Sequence, residues 1–305
     1  MKKKILVTGG TGFLGYHYLA YLSKKKIFLL YSLSRKKPSS IKKLKNVKYL
    51  IGDLSNKKDL NKLSKISFNY VVNFAGNINH KEKLKTFNSH YMGVKNLINC
   101  LDKKNLFKFI QLGSSVEYGK INSPHLEKKG IPKSKRIYST YGQSKLLSTI
   151  FLMKENKIRK LPTLVIRPYL IYGPFQSLDR LIPITINSCL QNKSFACSDG
   201  LQSRDFLFVS DAVSFIYKMM IGTEVGKIFN LGSGKKIMVR NVINKIVKLC
   251  KGGKPIFGKI KLRKDEIFDL YPSIKLAKSQ NWKPKISLDK GLKLTLNYYK
   301  NNLEV

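Results

Sequence analysis

Apolar residues in this chain cluster in short unbroken runs, and between the runs they recur with the spacing of a helix. The first run, Ile5-Leu6-Val7, leads directly into glycines. From Leu14, apolar residues return at Tyr18, Tyr21 and Leu22, a stripe that predicts an amphipathic helix. Segments 27–31, 47–51, 70–74, 107–112 and 163–166 read as further buried strands. Helices are expected around 59–63 and 91–101 and from Tyr141 onward, and 34–40 is a polar loop. Buried strands alternating with helices predict an α/β fold, a doubly wound parallel sheet covered on both faces. After Arg167-Pro168 the rhythm changes: strands shorten, loops carry Gly and Pro, and 237–250 reads as one amphipathic helix. The expected organisation is a sheet domain over 1–167 and a smaller α/β substrate-binding region over 168–305. A segment near 206–230 is expected to return to the main domain, with 206–209 rejoining its sheet.

Composition narrows the class. The chain has 305 residues, 43 % of them hydrophobic and 25 % charged, enough for a core and unlike a disordered chain. No run approaches the roughly 18 apolar residues of a membrane span. The apolar start after Met1-Lys2-Lys3-Lys4 is too short for a secretory signal. Cys100, Cys189, Cys197 and Cys250 are widely spaced, which fits a reducing cytoplasm and argues against a disulfide framework or a zinc site. His17, His80 and His125 show no metal-ligand spacing, so no metal is expected. The net charge of +42 admits two readings. One is a polyanionic partner, nucleic acid or an anionic membrane. Against it, the charge comes from 51 Lys and only 8 Arg spread along the chain, whereas phosphate grip favours the arginine fork. A solvated lysine surface is the better account, and neither a specific nucleic-acid partner nor a membrane is expected.

Candidate chemistry begins at Thr8-Gly9-Gly10-Thr11-Gly12-Phe13-Leu14-Gly15, between a strand and a helix. Positions without side chains let the backbone turn sharply and approach a pyrophosphate, whose charge sits on the helix N-terminus. This predicts a Rossmann-type NAD(P)-binding domain over 1–167, with Gly9, Gly12, Phe13, Leu14 and Gly15 at the cofactor. An NAD site usually carries an acid at the end of the second strand for the ribose 2′-hydroxyl. Here that place holds Ser34-Arg35-Lys36-Lys37, and Ser34 and Arg35 suit a 2′-phosphate, so NADP(H) is favoured over NAD(H). Asp53 and Leu54, after the third strand, are expected at the adenine edge, the plainer reading of Asp53 being a helix N-cap.

Tyr141-Gly142-Gln143-Ser144-Lys145 places a phenol and an ammonium one helical turn apart. A neighbouring cation favours the phenolate and lowers a pKa that is ordinarily about 10. Tyr141 can then carry a proton while hydride passes to or from a nicotinamide. Gly113-Ser114-Ser115 ends the fifth strand, where sheet C-termini face the crevice, and offers a hydroxyl to the substrate oxygen.

With these motifs in order, the chain resembles the extended short-chain dehydrogenase/reductases, the NAD-dependent epimerase/dehydratase family, from residue 4 to about 292. Gly52-Asp53-Leu54, Asn73-Phe74-Ala75-Gly76, the stretch from Gly113 to Gly119, and Arg167-Pro168 through Gly173-Pro174 carry the resemblance further. So do Gly200 through Phe206 and Asn281-Trp282-Lys283-Pro284. The resemblance implies that Tyr141 transfers the proton and that Lys145 also binds the cofactor ribose. It implies that Phe74, Ala75 and Gly76 line the cofactor, and that the family's Ser/Thr is Ser114, with Ser115 as the fallback. Arg204 and Arg263 resemble arginines that grip the pyrophosphate of a nucleotide sugar. A homodimer built partly on the Tyr–Lys helix and a role in making surface polysaccharide are implied on the same basis.

Departures from the family pattern narrow the activity. Sugar-nucleotide dehydratases carry an Asp-Glu pair after the Ser/Thr, where this chain has Ser115 and Val116, so elimination of water is not expected. Leu170 replaces an asparagine that helps hold the diphosphate, and His90 replaces a helix asparagine as a neutral structural substitute. The expected activity is NADPH-dependent reduction of a 4-keto sugar nucleotide. The alternatives are an NAD-dependent nucleotide-sugar 4-epimerase and, from another class, a non-catalytic dinucleotide- or RNA-binding protein.

Overall fold

The computed structural model describes residues 2–77, 79, 81–127, 137, 139–262 and 266–302. The chain falls into two compact units. The first comprises Met1–Gly119, Lys129–Arg167 and Val213–Phe229, and the second Lys120–Lys128, Pro168–Ala212 and Asn230–Val305.

In the first unit, strands and helices alternate as the apolar runs require. In chain order they are β1 (Lys3–Thr8), α1 (Phe13–Lys25), β2 (Phe28–Ser34), β3 (Val47–Ile51), α2 (Lys57–Ser64) and β4 (Tyr70–Asn73). After these come α3 (Lys83–Phe87), α4 (Gly93–Cys100), β5 (Lys108–Leu112), α5 (Thr140–Arg159) and β6 (Thr163–Pro168). A seven-stranded sheet runs Lys227–Leu231, β6, β5, β4, β1, β2, β3. From β3 to β6 every neighbouring pair is parallel, with Val7 opposite both Ser32 and Val72. The order reverses between β1 and β4, and in such sheets ligands bind beyond the strand C-termini at this switch point. Ile5, Leu6, Val7, Val71 and Val72 are fully buried, because helices cover both faces; hence the runs are continuous rather than alternating. Both long helices end on a lysine in the left-handed conformation, Lys26 after α1 and Lys160 after α5, with basic residues in the last turn complementing the helix dipole.

The segment 206–208 does not rejoin this sheet. Phe206–Phe208 pairs in parallel with Leu170–Tyr172 as a separate two-stranded sheet, and the main sheet takes its edge strand from Lys227–Leu231. Only three residues stay extended before the helix Val209–Ile221 begins, and an apolar run that short carries no mark of its partner. The expected helix over 237–250 also starts later, at Val239, because Ile237–Met238 pairs with Ser203–Arg204.

Among the described residues the second unit holds three small sheets and the helices Leu181–Leu190, Val239–Cys250, Lys275–Ser279 and Leu288–Asn302. Two polar groups organise its interior. Asp205 is fully buried and accepts from the Ser233 amide (2.6 Å), the Ser233 hydroxyl (3.0 Å) and the Lys235 amide (3.0 Å). Burial nevertheless pushes its carboxyl up to about 6, those hydrogen bonds opposing the rise. His125 is equally buried, with Nδ1 2.8 Å from the Tyr169 hydroxyl and Nε2 3.1 Å from the Ile121 carbonyl, a satisfied core histidine. Among the described residues no helix is long and apolar enough to cross a membrane, and no cluster of three metal-ligating side chains occurs.

Candidate active site

The loop after β1 is shaped by what its glycines exclude. Gly9 has φ +69°, and a Cβ there would stand 2.9 Å from the Ala75 amide nitrogen. A Cβ on Gly15 would meet the Gly9 carbonyl at 2.3 Å, so only glycine lets α1 start this close to the strand end. The loop is tied across the sheet by Gly9 N–H to the Leu33 carbonyl (2.8 Å) and Thr11 N–H to Ser34 Oγ (3.3 Å). The first turn of α1 carries no acid, so its positive end is not offset by a side chain.

Beside this loop lies a cavity of about 700 Å³. Its lining includes all twelve residues assigned to the cofactor from the sequence apart from the Tyr–Lys pair: Gly9, Gly12, Phe13, Leu14, Gly15, Ser34, Arg35, Asp53, Leu54, Phe74, Ala75 and Gly76. Thr11, Leu33, Lys36, Gly52, Ser89 and Leu112 complete it. Ser34 is buried while Arg35 and Lys36 are exposed, so the β2 end of the cavity has a basic rim. Asp53 is not a helix cap: α2 is capped by Asn56, and Asp53 Oδ1 accepts from the Ser55 amide and hydroxyl at 2.8 and 2.7 Å.

Tyr141 and Lys145 stand in the first turns of α5, whose start is fixed by Ser139 Oγ accepting from the Gly142 amide. Lys145 is buried, and its Nζ donates to the Leu112 carbonyl (2.7 Å), a residue of the cavity wall. Burial lowers the Lys145 ammonium to about 8, with the Glu117 carboxylate opposing the drop. The same Nζ lies 5.9 Å from the centre of the Tyr141 ring. Ser114 lies two residues past β5 and caps the tight turn Ser115–Tyr118, its Oγ accepting from the Val116 amide at 3.4 Å. Gly142 packs tightly on the chain just before α5, since a Cβ on it would stand 2.7 Å from Ile137 Cγ2 and 3.1 Å from Ser139 Oγ.

A profile of the NAD dependent epimerase/dehydratase family matches residues 5–232. The chain belongs to this family. Among its relatives, a putative UDP-glucose 4-epimerase of Methanocaldococcus jannaschii is 28 % identical over 312 residues, covering 98 % of this chain and 99 % of the relative. The dTDP-D-glucose 4,6-dehydratase of Mus musculus is 26 % identical over 323 residues, covering 98 % and 89 %. Among solved structures, the UDP-glucose 4-epimerase of Thermotoga maritima with UDP-glucose superposes with a TM-score of 0.91 at 23 % identity, covering 99 % and 100 % of the two chains.

As a member of the epimerase/dehydratase family, the chain also carries residues at its site that sequence reasoning missed. Glu117 is fully buried and pairs with Arg167 Nε at 2.9 Å. His90 sits on a π-helical turn, Asn88–Met92, with its ring 5.1 Å from that of Tyr141 and Nε2 3.1 Å from the Asn77 carbonyl. Glu117 and Arg167 lie inside motifs already quoted, but they pair across 50 residues and no local pattern announces the pairing. No local pattern could announce the His90–Tyr141 contact. Ser115, beside Ser114, is buried within the turn. In the second unit Arg204 is buried, donates to the Ser203 and Phe268 carbonyls (2.7 and 3.1 Å) and pairs with Glu266. Arg263 lies outside the described residues.

Proposed function

We propose that this chain is an NAD(P)-dependent nucleotide-sugar oxidoreductase, specifically an NADPH-dependent reductase of a 4-keto sugar nucleotide. The observation that carries the reading is the cavity lined by the glycine loop, Ser34, Arg35 and Lys36 together, with the Lys145 ammonium bound to its wall. The glycine cradle fits a dinucleotide: a Cβ at Gly9 or Gly15 would collide with backbone on the loop that a pyrophosphate must approach. Ser34 and the basic rim suit a 2′-phosphate, for which the guanidinium fork of Arg35 is the natural partner. When bound, the nicotinamide supplies the hydride. Ser114 holds the keto oxygen; a hydroxyl accepts and donates at once, so accepting from Val116 leaves its O–H for the substrate. Tyr141 gives its proton to the developing alkoxide, and Lys145 beside it stabilises the phenolate left behind. Carbonyl, hydride and proton together give the alcohol.

The runner-up, an NAD-dependent nucleotide-sugar 4-epimerase, draws support from the near full-length M. jannaschii relative. Elimination of water is disfavoured: Ser115 and Val116 supply no acid, and the one carboxylate in the turn, Glu117, is engaged by Arg167. The proposal extends to a cytoplasmic homodimer resting partly on α5, where Ile150 and Ile158 are exposed, testable by light scattering.

The test is a mass-spectrometric screen of UDP-, CDP-, GDP- and dTDP-linked sugars and 4-keto sugars with NADPH and NADH, on protein first stripped of bound nucleotide. Reduction dependent on NADPH supports the reductase; stoichiometric NAD released by the stripping, with turnover by the unstripped protein needing no added cofactor, supports the epimerase. In either case Tyr141→Phe is expected to lower turnover by about 10²–10⁴-fold while cofactor binding persists. Undiminished turnover in that variant rejects both.

A further inference from the structure

Glu117 is shut off from solvent in the short helical turn Ser115–Tyr118, where its Oε1 forms a capping box with Ser114, and its second oxygen reaches beyond the turn. Its side chain and that of Arg167 are fully buried. Oε2 accepts from Arg167 Nε (2.9 Å) and from the Thr149 hydroxyl of α5 (2.7 Å), and Oε1 accepts from the Ser114 backbone amide (2.7 Å). Beneath the pair, the Arg167 guanidinium lies 4.4 Å from the Tyr118 ring centre. A buried ion pair is a poor stabilising device in itself, because desolvation offsets the attraction and an apolar replacement of similar volume often serves as well. The distinguishing feature is what the carboxylate ties together: the strand end that carries Ser114, the helix that carries Tyr141 and Lys145, and β6.

We propose that Glu117, anchored by Arg167, is a positioning residue for proton transfer: it fixes the Ser114 turn against α5 and supplies the buried negative charge facing the Lys145 ammonium. This rests on the roles given above to Ser114, Tyr141 and Lys145. The charged and titratable groups around Glu117 are Lys145 from α5, Arg167 from β6 and Tyr118 from its own turn. Tyr141 lies beside Lys145, and His90 packs against the Tyr141 ring. Glu117 counters the fall that burial imposes on Lys145. Without its charge the ammonium loses its proton at lower pH, and the phenolate of Tyr141 loses its stabilising cation.

The experiment compares wild type with Glu117→Gln, a replacement of the same shape without the charge. Carbamoylation by cyanate, which attacks only the neutral amine, is followed at Lys145 by peptide mass spectrometry across pH. The wild-type midpoint is expected near 8, and in Glu117→Gln it falls by about half a unit or more. With a sugar-nucleotide substrate, kcat is expected to fall about tenfold or more, its alkaline limb moving to lower pH with KM within about twofold. Loss of fold alone would return Lys145 toward the ordinary lysine value and move the midpoint up, the opposite of the drop expected here. If Glu117→Gln does not fold, Glu117→Gln/Arg167→Met removes both charges and leaves none buried alone, and a smaller drop in midpoint is expected, because losing the Arg167 cation partly offsets losing the carboxylate. An unchanged Lys145 midpoint in a folded variant, or full kcat, overturns the inference. A wild type that turns over no nucleotide sugar counts against the proposed function, and the cyanate measurement still decides this one.

Discussion

At Gly76, one side-chain atom separates a working wall from a blocked one. A Cβ there would stand 1.8 Å from His90 Cε1, inside the ring that abuts Tyr141. Neither the ring nor the backbone can give way cheaply, because His90 is buried and its carbonyl accepts from the Ser148 hydroxyl at 2.7 Å. Gly76→Ala is therefore expected to cost about 1–3 kcal/mol by overpacking, read as a lower denaturation midpoint at unchanged slope. Weaker cofactor binding should accompany it, since Gly76 lines the cavity. Residues of this kind differ in how far the sequence reveals them. Gly9, Gly12 and Gly15 were legible because a close backbone approach demands glycine, and Tyr141 and Lys145 because one helical turn separates them. Glu117, Thr149 and Arg167 were not, since their meaning lies in partners 32 and 50 residues away.

Among elements, the strands of the first unit were legible because burial on both faces writes an uninterrupted apolar run. Partners were not: the Phe206–Phe208 run looks like a strand of the main sheet and belongs elsewhere. Elements are also held by single side chains that a lysine-rich sequence hides. Lys108 at the start of β5 is buried, and its Nζ donates to the Gly222 and Glu224 carbonyls at 2.7 and 2.6 Å, just past the helix Val209–Ile221. A cation there meets the negative end of the helix dipole and satisfies carbonyls that the helix cannot. Lys108→Met should keep the volume and lose both hydrogen bonds, for a cost of about 1–3 kcal/mol, measured by urea denaturation. Amides at the end of that helix should exchange faster in the same variant. Substituting an exposed lysine such as Lys57 should leave both measurements unchanged.

For the molecule as a whole, the charge of +42 takes on a different meaning once the site is drawn. The cavity needs few cations, and most others are exposed with no partner role in it. A net positive charge of this size still attracts a dinucleotide and a nucleotide diphosphate, both anions, and the attraction is screened within about 8 Å at physiological ionic strength. kcat/KM is therefore expected to fall several-fold as salt rises from about 0.02 to 0.3 M while kcat holds steady, measured at saturating cofactor. A kcat/KM independent of salt would show that the surface charge plays no part in capture.

The sheet order has one more consequence, in the time at which the protein is made. β6, whose Leu164, Val165 and Ile166 are fully buried, borders β5 on one side and Lys227–Leu231 on the other. On the ribosome, β6 emerges while that second neighbour is still untranslated. It stays an apolar open edge, the kind that pairs with foreign strands, until the later segment arrives. The vulnerable stage is thus the one after β6 has left the ribosome and before residues 227–231 have followed, when every residue of the Tyr–Lys helix has already been synthesised.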